Sequence, residues 1–415
     1  MPAAGNRPIT EPHRRIFYGH IVVMSAFFIM VALWAAFYSF GVFFNPLIDE
    51  FGWSRAATAG AYSLSSIVMG LLAIAMGKLT DRFGSRLVMR ICALFLFLGY
   101  LLMSRVGSLF QLYLFHGLIL GTGMSGSFVP LMSTVARWFV AKRNMMTGIV
   151  TAGVSIGAMM GPPIVNRLIA DYGWRLTYVI LGLAVSATVI LASQFIKRDP
   201  RDIGQLAYGE EETKLPAAMI TSIKALSFRE AFTTRQFWFV YSKFFCLGFC
   251  TFAIIVHIVP HSIKLGISAV IAANILATVG GLSVVGRVVL GRVADHIGNQ
   301  KTFIIGFALM AAALFGLIPA KTVGMLYLLA GAFGLAYGTC VASQSPLVAE
   351  LFGLSSHGVI LGFLSFGFTT GGAIGPWLAG HLFDITDSYR LSFTICSGIS
   401  LAGLILTMCL KPGRT

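Results

Sequence analysis

The sequence predicts an all-α membrane protein of twelve transmembrane helices, arranged as two pseudo-symmetric six-helix halves. Three observations lead there: a composition poor in charge, apolar runs long enough to cross a bilayer, and a repeat that maps the second half of the chain onto the first. Of 415 residues, 57% are hydrophobic and 11% charged, whereas soluble domains carry about a quarter charged residues. A hydrocarbon core of about 30 Å takes about 20 apolar helical residues to cross.

The first apolar run covers residues 18–43. No small-residue cleavage signal follows it and further runs do, so it reads as a span and not as a signal peptide. Runs at 55–77, 87–105, 109–136, 145–169 and 174–196 complete a first half, residues 18–196. Residues 197–236 form the long polar stretch, with Lys197, Arg198, Asp199, Pro200 and Arg201 followed by Glu210, Glu211 and Glu212. That composition marks a hydrophilic linker with room for a short surface helix. The second half, residues 237–410, holds runs at 237–260, 268–291, 302–319, 322–348, 357–381 and 389–410. Short segments, 1–17 and 411–415, flank the two halves.

Lys and Arg outnumber Asp and Glu by 30 to 15, but they sit in short loops between apolar runs, which is a topology signal and not a nucleic-acid footprint. They crowd Arg7, Arg14 and Arg15, then Lys78 to Arg90, Arg137 to Arg143, Lys197 to Arg201, and Arg292 to Lys301. The alternate loops carry Asp49, Glu50, Asp171, Asp384 and Asp387. By the positive-inside rule both termini and the linker are expected in the cytoplasm of a multi-pass cell-membrane protein. The six cysteines fall in or beside apolar runs without metal-ligand spacing, so they read as free thiols filling helix packing, and no metal is expected.

The repeat appears by subtraction. Asp81 to Asp295, Gly77 to Gly291, Gly84 to Gly298 and Gly161 to Gly375 are each 214 residues apart, and so are Gly52 to Gly266 and Ser54 to Ser268. Parallel six-helix halves of this kind place a substrate between them near the midplane.

Two loops carry the repeat most clearly: Gly77-Lys78-Leu79-Thr80-Asp81-Arg82-Phe83-Gly84-Ser85-Arg86 and Gly291-Arg292-Val293-Ala294-Asp295-His296-Ile297-Gly298. They resemble the signature loop of the major facilitator superfamily. Physically, a glycine-bounded turn lets helices approach while the aspartate meets basic groups or a helix N-terminus. Asp81, Arg82, Arg86 and Asp295 are therefore expected to gate. Two further segments resemble the monocarboxylate transporter and oxalate/formate antiporter group, bacterial type. One runs from Arg137 through Lys142-Arg143-Asn144 to Gly153; the other joins Gly41-Val42-Phe43-Phe44 to Phe51-Gly52-Trp53-Ser54-Arg55-Ala56.

Arg287 lies inside the apolar run about one turn before Gly291. An arginine within a span costs about 2.5 to 3.5 kcal/mol on insertion scales, so it takes a partner, a wet cavity, or a snorkelling route to the surface. The spacing Arg287, Gly291, Asp295 resembles the eighth span of monocarboxylate transporters, whose arginine binds the substrate carboxylate; a guanidinium meets two carboxylate oxygens in parallel. This chain departs from that pattern at Ser283, where the animal transporters carry an aspartate, and at Tyr38, where they carry a lysine. It also lacks the eleventh-span lysine of the oxalate/formate branch in Leu364-Ser365-Phe366-Gly367. One cation suits one carboxylate.

The remaining candidates are weaker individually. Tyr38, Ser283, Tyr337, Gln344 and His116 are candidates for hydrogen bonds to a small acid, or else for ordinary interhelical bonds. His257 and His116 are the proton-coupling candidates, since histidine titrates near neutrality. His257 and His261 stand four apart, but Pro260 intervenes and no third ligand follows. Lys243, near the start of the seventh span, reads as a snorkelling residue. No nucleotide loop, nucleophile elbow or metal cluster appears, so neither an enzyme nor a cofactor is expected. The sequence predicts a monomeric secondary transporter of small monocarboxylates in the lipid bilayer, with a small organic anion and a proton as its partners. The alternatives are an exchanger or symporter of another organic acid, oxalate/formate-like or aromatic, and a sensor that keeps the carrier fold without transport.

Overall fold

In a computed structural model, which describes residues 17–210 and 226–410, the chain is helical throughout its apolar runs. Arg7, Arg14, Arg15, Glu211, Glu212 and the tail 411–415 lie outside the described residues. Eleven helices among the described residues are long and apolar enough to cross a membrane. They are α1 (Tyr18–Phe51), α2 (Arg55–Phe83), α3 (Ser85–Met103), α4 (Leu109–Trp138), α5 (Arg143–Gln194), α6 (Arg235–Lys264), α7 (Ala269–Ile297), α8 (Asn299–Leu317), α9 (Val323–Phe352), α10 (His357–Thr386) and α11 (Arg390–Met408).

α5 accounts for the difference between eleven helices and twelve spans. Its 52 residues would reach about 78 Å at 1.5 Å per residue, more than twice a hydrocarbon core. Gly173 breaks it with φ 75° and ψ 162°, a conformation that a β-carbon disfavours. The chain reverses there, so two spans follow one another with a single-residue joint.

The 214-residue repeat of the sequence is also a repeat of contacts. Ser54 and Ser268 cap the first turns of α2 and α7 by accepting from Ala57 N and Ile271 N. Ser108 and Thr322, again 214 apart, cap α4 and α9 through Gln111 N and Met325 N. Such caps satisfy amides that a helix cannot pair internally. Close packing follows the same rule: a β-carbon at Gly161 would lie 2.2 Å from the Ala35 carbonyl oxygen, and one at Gly375 would lie 2.4 Å from that of Phe249. The first limb of α5 thus seats against α1 as α10 seats against α6. Large apolar side chains such as Phe28, Leu94, Leu191 and Leu328 remain exposed on the outer surface, as helices facing lipid require.

Two spans widen locally to the π-helical hydrogen-bonding pattern: Tyr113–Leu120 within α4, and Gly286–Leu290 within α7. Local π-helical widenings gather at functional sites, and these contain His116 and Arg287 respectively. The linker folds back at both ends. Tyr208 exchanges backbone bonds with Trp138 and Val140, and Leu226 N donates to the Phe352 carbonyl at 3.1 Å. A 3-10 turn (Pro200–Ile203) and a short helix (Phe228–Phe232) are its described regular elements.

Candidate functional site

Where the two halves meet near the linker, two aspartates hold them together by the same device. Asp81, at the end of α2, accepts from Gly358 N and Val359 N at 2.9 Å each. These amides open α10, which belongs to the other half. Asp295, at the end of α7, accepts from Asn144 N at 2.7 Å and Met145 N at 3.1 Å, the opening amides of α5. Every member of one set is 214 residues from its counterpart in the other. A carboxylate at a helix N-terminus meets unpaired N–H groups and the positive end of the helix dipole. Arg137 joins the first set, 3.4 Å from Asp81 and 2.8 Å from the Leu354 carbonyl. Arg82 and Arg86 stand apart from both carboxylates. Arg86 donates to Gln194 Oε1 at 2.7 Å, and Arg82 lies over the Phe83 ring.

Deeper along α7, Arg287 is 1% exposed. It does not snorkel. Its Nη1 donates across the interface to the Thr151 carbonyl at 2.7 Å and to Ser155 Oγ at 2.8 Å, both on α5. Its Nη2 donates to Tyr337 Oη of α9 at 3.1 Å, while Nε has no hydrogen-bond partner. No ion pair includes Arg287 among the described residues. All its partners are neutral oxygens, and a buried guanidinium without a counter-charge favours an incoming anion.

Ser283 belongs to this neighbourhood, 3.4 Å from Ser155 Oγ and bonded to the Gly280 carbonyl. Tyr38 of α1 lies within electrostatic range of Arg287, Tyr62 and Tyr337. It starts an aromatic wall: Tyr38 beside Trp34, Trp34 beside Phe37, and Phe37 on Tyr62 with centroids 4.8 Å apart. The wall ends on His116, which stacks on Phe40 at 3.9 Å and has no partner at either ring nitrogen. Gln344 sits two turns of α9 beyond Tyr337, buried, with Nε2 unpaired. His257 is apart from all of these, held by the Pro376 carbonyl at 2.9 Å and Tyr389 Oη at 3.3 Å. The structure therefore gathers Arg287, Tyr337, Ser283 and Tyr38, and leaves His116, His257 and Gln344 outside that cluster.

Lys243 overturns its sequence reading. It is 0% exposed, with Nζ unpaired by any hydrogen bond and 3.2 Å from the centroid of Phe303. Snorkelling fails because α6 turns this face toward α8 and α9, away from lipid and water. A cation–π contact returns about 2 kcal/mol when desolvated, while an isolated buried ammonium costs more. Sequence reasoning also passed over Thr151, Ser155 and Arg137. Thr151 contributes only its backbone carbonyl, which leaves no signal in residue type, while Ser155 lies one turn further on the same face of α5.

The sequence model of the Major Facilitator Superfamily matches residues 26–323 and 264–415. The chain is 27% identical over 394 residues to monocarboxylate transporter 13 of Rattus norvegicus, an alignment covering 93% of this chain and 87% of that one. It is 26% identical over 384 residues to the oxalate:formate antiporter of Oxalobacter formigenes, covering 90% and 88%. Among solved structures, the proton:xylose symporter XylE superposes with a TM-score of 0.74 at 16% identity, covering 95% of this chain and 96% of that one. The transporter FucP in its outward conformation gives a TM-score of 0.70 at 14% identity, covering 95% and 98%.

Proposed function

The chain belongs to the Major Facilitator Superfamily, a multi-pass transporter family, and from that premise we propose that it carries small monocarboxylates together with a proton by alternating access. The observation that carries this reading is Arg287: fully buried between the halves, bonded only to neutral oxygens, and without an acid partner among the described residues. A carboxylate can replace Ser155 Oγ and Tyr337 Oη on the two Nη atoms and gain a bidentate charged pair. A single cation at this depth favours one carboxylate over two. Relatives named monocarboxylate transporters align over nearly the whole chain, which supports the same substrate class.

In this reading the linker face is cytoplasmic, as its basic loops direct. Asp81 and Asp295 then close the cytoplasmic side in the conformation described, and breaking both sets of bonds lets the halves rock. The deciding test is uptake of labelled lactate into proteoliposomes, with competition by propionate, benzoate, oxalate and succinate. Inhibition by monoacids but not by diacids is the expected outcome. Preferential inhibition by oxalate and succinate would refute the reading, and binding without uptake would make the protein a sensor.

A further inference from the structure

We propose that Lys243 takes up the coupled proton, which makes the lysine in the core of the second half the proton-carrying group of the transport cycle. The inference rests on the monocarboxylate reading above and adds a residue to it. Three observations support it. Lys243 is wholly enclosed, its Nζ has no hydrogen-bond partner, and its nearest cation-binding feature is the Phe303 ring. The titratable groups in electrostatic range are Cys340 and Glu350, both of α9. Cys340 is a thiol, and Glu350 is a carboxylate that accepts from the neutral amide of Asn299 and makes no ion pair with Nζ. From the other elements against α6, His357 of α10 is bonded to Ser345, Cys396 of α11 accepts through its carbonyl from Cys250, and Arg287 of α7 is committed as described. Among the described residues none of these groups is hydrogen-bonded or ion-paired to Nζ of Lys243.

In the proposed cycle the substrate supplies the counter-charge. Cys340, in electrostatic range of Lys243, follows Tyr337 by one turn of α9, so the helix that supplies a partner of Arg287 also walls the lysine's site. An anion that favours the ammonium binds more tightly when the proton is present, and the proton binds more tightly when the anion is present. The balance closes without a further reactant. The empty carrier holds the Arg287 cation and the Lys243 amine. The loaded carrier holds the Arg287 cation, the carboxylate, and Lys243 as ammonium after one proton has bonded to Nζ. Both reorienting forms carry the same net charge, so the cycle is electroneutral. Buried polar atoms of Ser343 and Gln344, also without partners, continue along α9 toward the linker end and offer the proton a polar route.

The test uses the full-length chain in proteoliposomes with labelled lactate, comparing wild type, Lys243→Met and Lys243→Gln. Methionine preserves length in an apolar site, so folding is retained. Two assays are read: lactate exchange at equal pH on both sides, and net uptake driven either by a pH gradient or by a clamped potential. Wild-type exchange tests the monocarboxylate reading, and the difference between wild type and variants tests the lysine. The variants are expected to retain saturable exchange at a raised half-saturating lactate concentration, to lose more than tenfold of the pH-driven accumulation, and to gain uptake driven by an inside-positive potential. Retained pH-driven, potential-independent uptake in folded Lys243→Met overturns the proposal. Loss of exchange in both folded variants also overturns it, because it would place Lys243 in anion binding. As a check independent of substitution, lactate added to weakly buffered wild-type protein in detergent should withdraw close to one proton per chain, and no uptake overturns the proposal.

Discussion

Arg287 and Ala73 occupy equivalent places in the two halves, 214 residues apart, and the backbone carbonyl of each faces a glycine of the opposite half. A β-carbon on Gly148 would lie 1.9 Å from the Arg287 oxygen, and one on Gly362 would lie 2.8 Å from that of Ala73. The interface is thus symmetric in backbone and asymmetric in chemistry. Gly148→Ala should prevent the halves from closing at the linker face and cut lactate uptake at least tenfold, with Gly362→Ala milder. Crosslinking between cysteines placed at 144 and 295 reports closure; undiminished uptake and crosslinking in Gly148→Ala would contradict this packing.

Asp81 and Asp295 each accept two backbone amides across the interface. Losing a charged acceptor for buried N–H groups costs about 1 to 3 kcal/mol. Asp81→Asn is therefore expected to slow turnover about tenfold while KM stays within about threefold, since the closed state is destabilised and the anion site is not. An unchanged kcat with a raised Kd would move Asp81 into the binding site.

Arg287 tests the anchor itself. Arg287→Lys keeps charge but cannot span Thr151, Ser155 and Tyr337 together, so uptake should fall at least tenfold. Arg287→Ala should abolish binding, and the protein should remain folded because its neutral partners regain local helical bonds. Saturable uptake in Arg287→Ala would falsify the anchor.

His116 has aromatic neighbours and no hydrogen-bond partner. His116→Phe should conserve the stack and keep both uptake and its pH dependence within about twofold of wild type. A shifted pH profile in that variant would make His116 a second proton site.

The orientation is checked by labelling. Glu210 is tied to Arg201 and to Ala207 N on the linker face. A cysteine at 210 in a chain otherwise free of cysteine should resist membrane-impermeant maleimide in intact cells and react after permeabilisation. Reaction from outside reverses the topology.

Much of this arrangement is legible in the sequence because the duplication keeps certain residues, such as Asp81 and Asp295, at one constant offset. Asp81 and Asp295 declared themselves by offset, and Arg287 by the cost of a cation in an apolar run. Lys243 did not, since a linear sequence places it near a span end and says nothing about which face of α6 the neighbouring helices cover. Arg137 was hidden similarly: it reads as one more basic loop residue, yet its partners Asp81 and Leu354 lie 56 and 217 residues away. In the sequence the joint at Gly173 reads as an ordinary break between two spans, because helix continuity across a tight reversal depends on the dihedral angles of one residue.

That joint has a mechanical effect. The first limb of α5 carries Thr151 and Ser155 to Arg287, and the second limb is fastened to α3, where Ser186 Oγ donates to the Ala93 carbonyl at 3.1 Å. In the proposed cycle, a displacement that starts at the anion would meet no loop between the limbs that could absorb it. It would pass along α5 to α3, so a force applied at one backbone and one side-chain oxygen would turn that half as a lever.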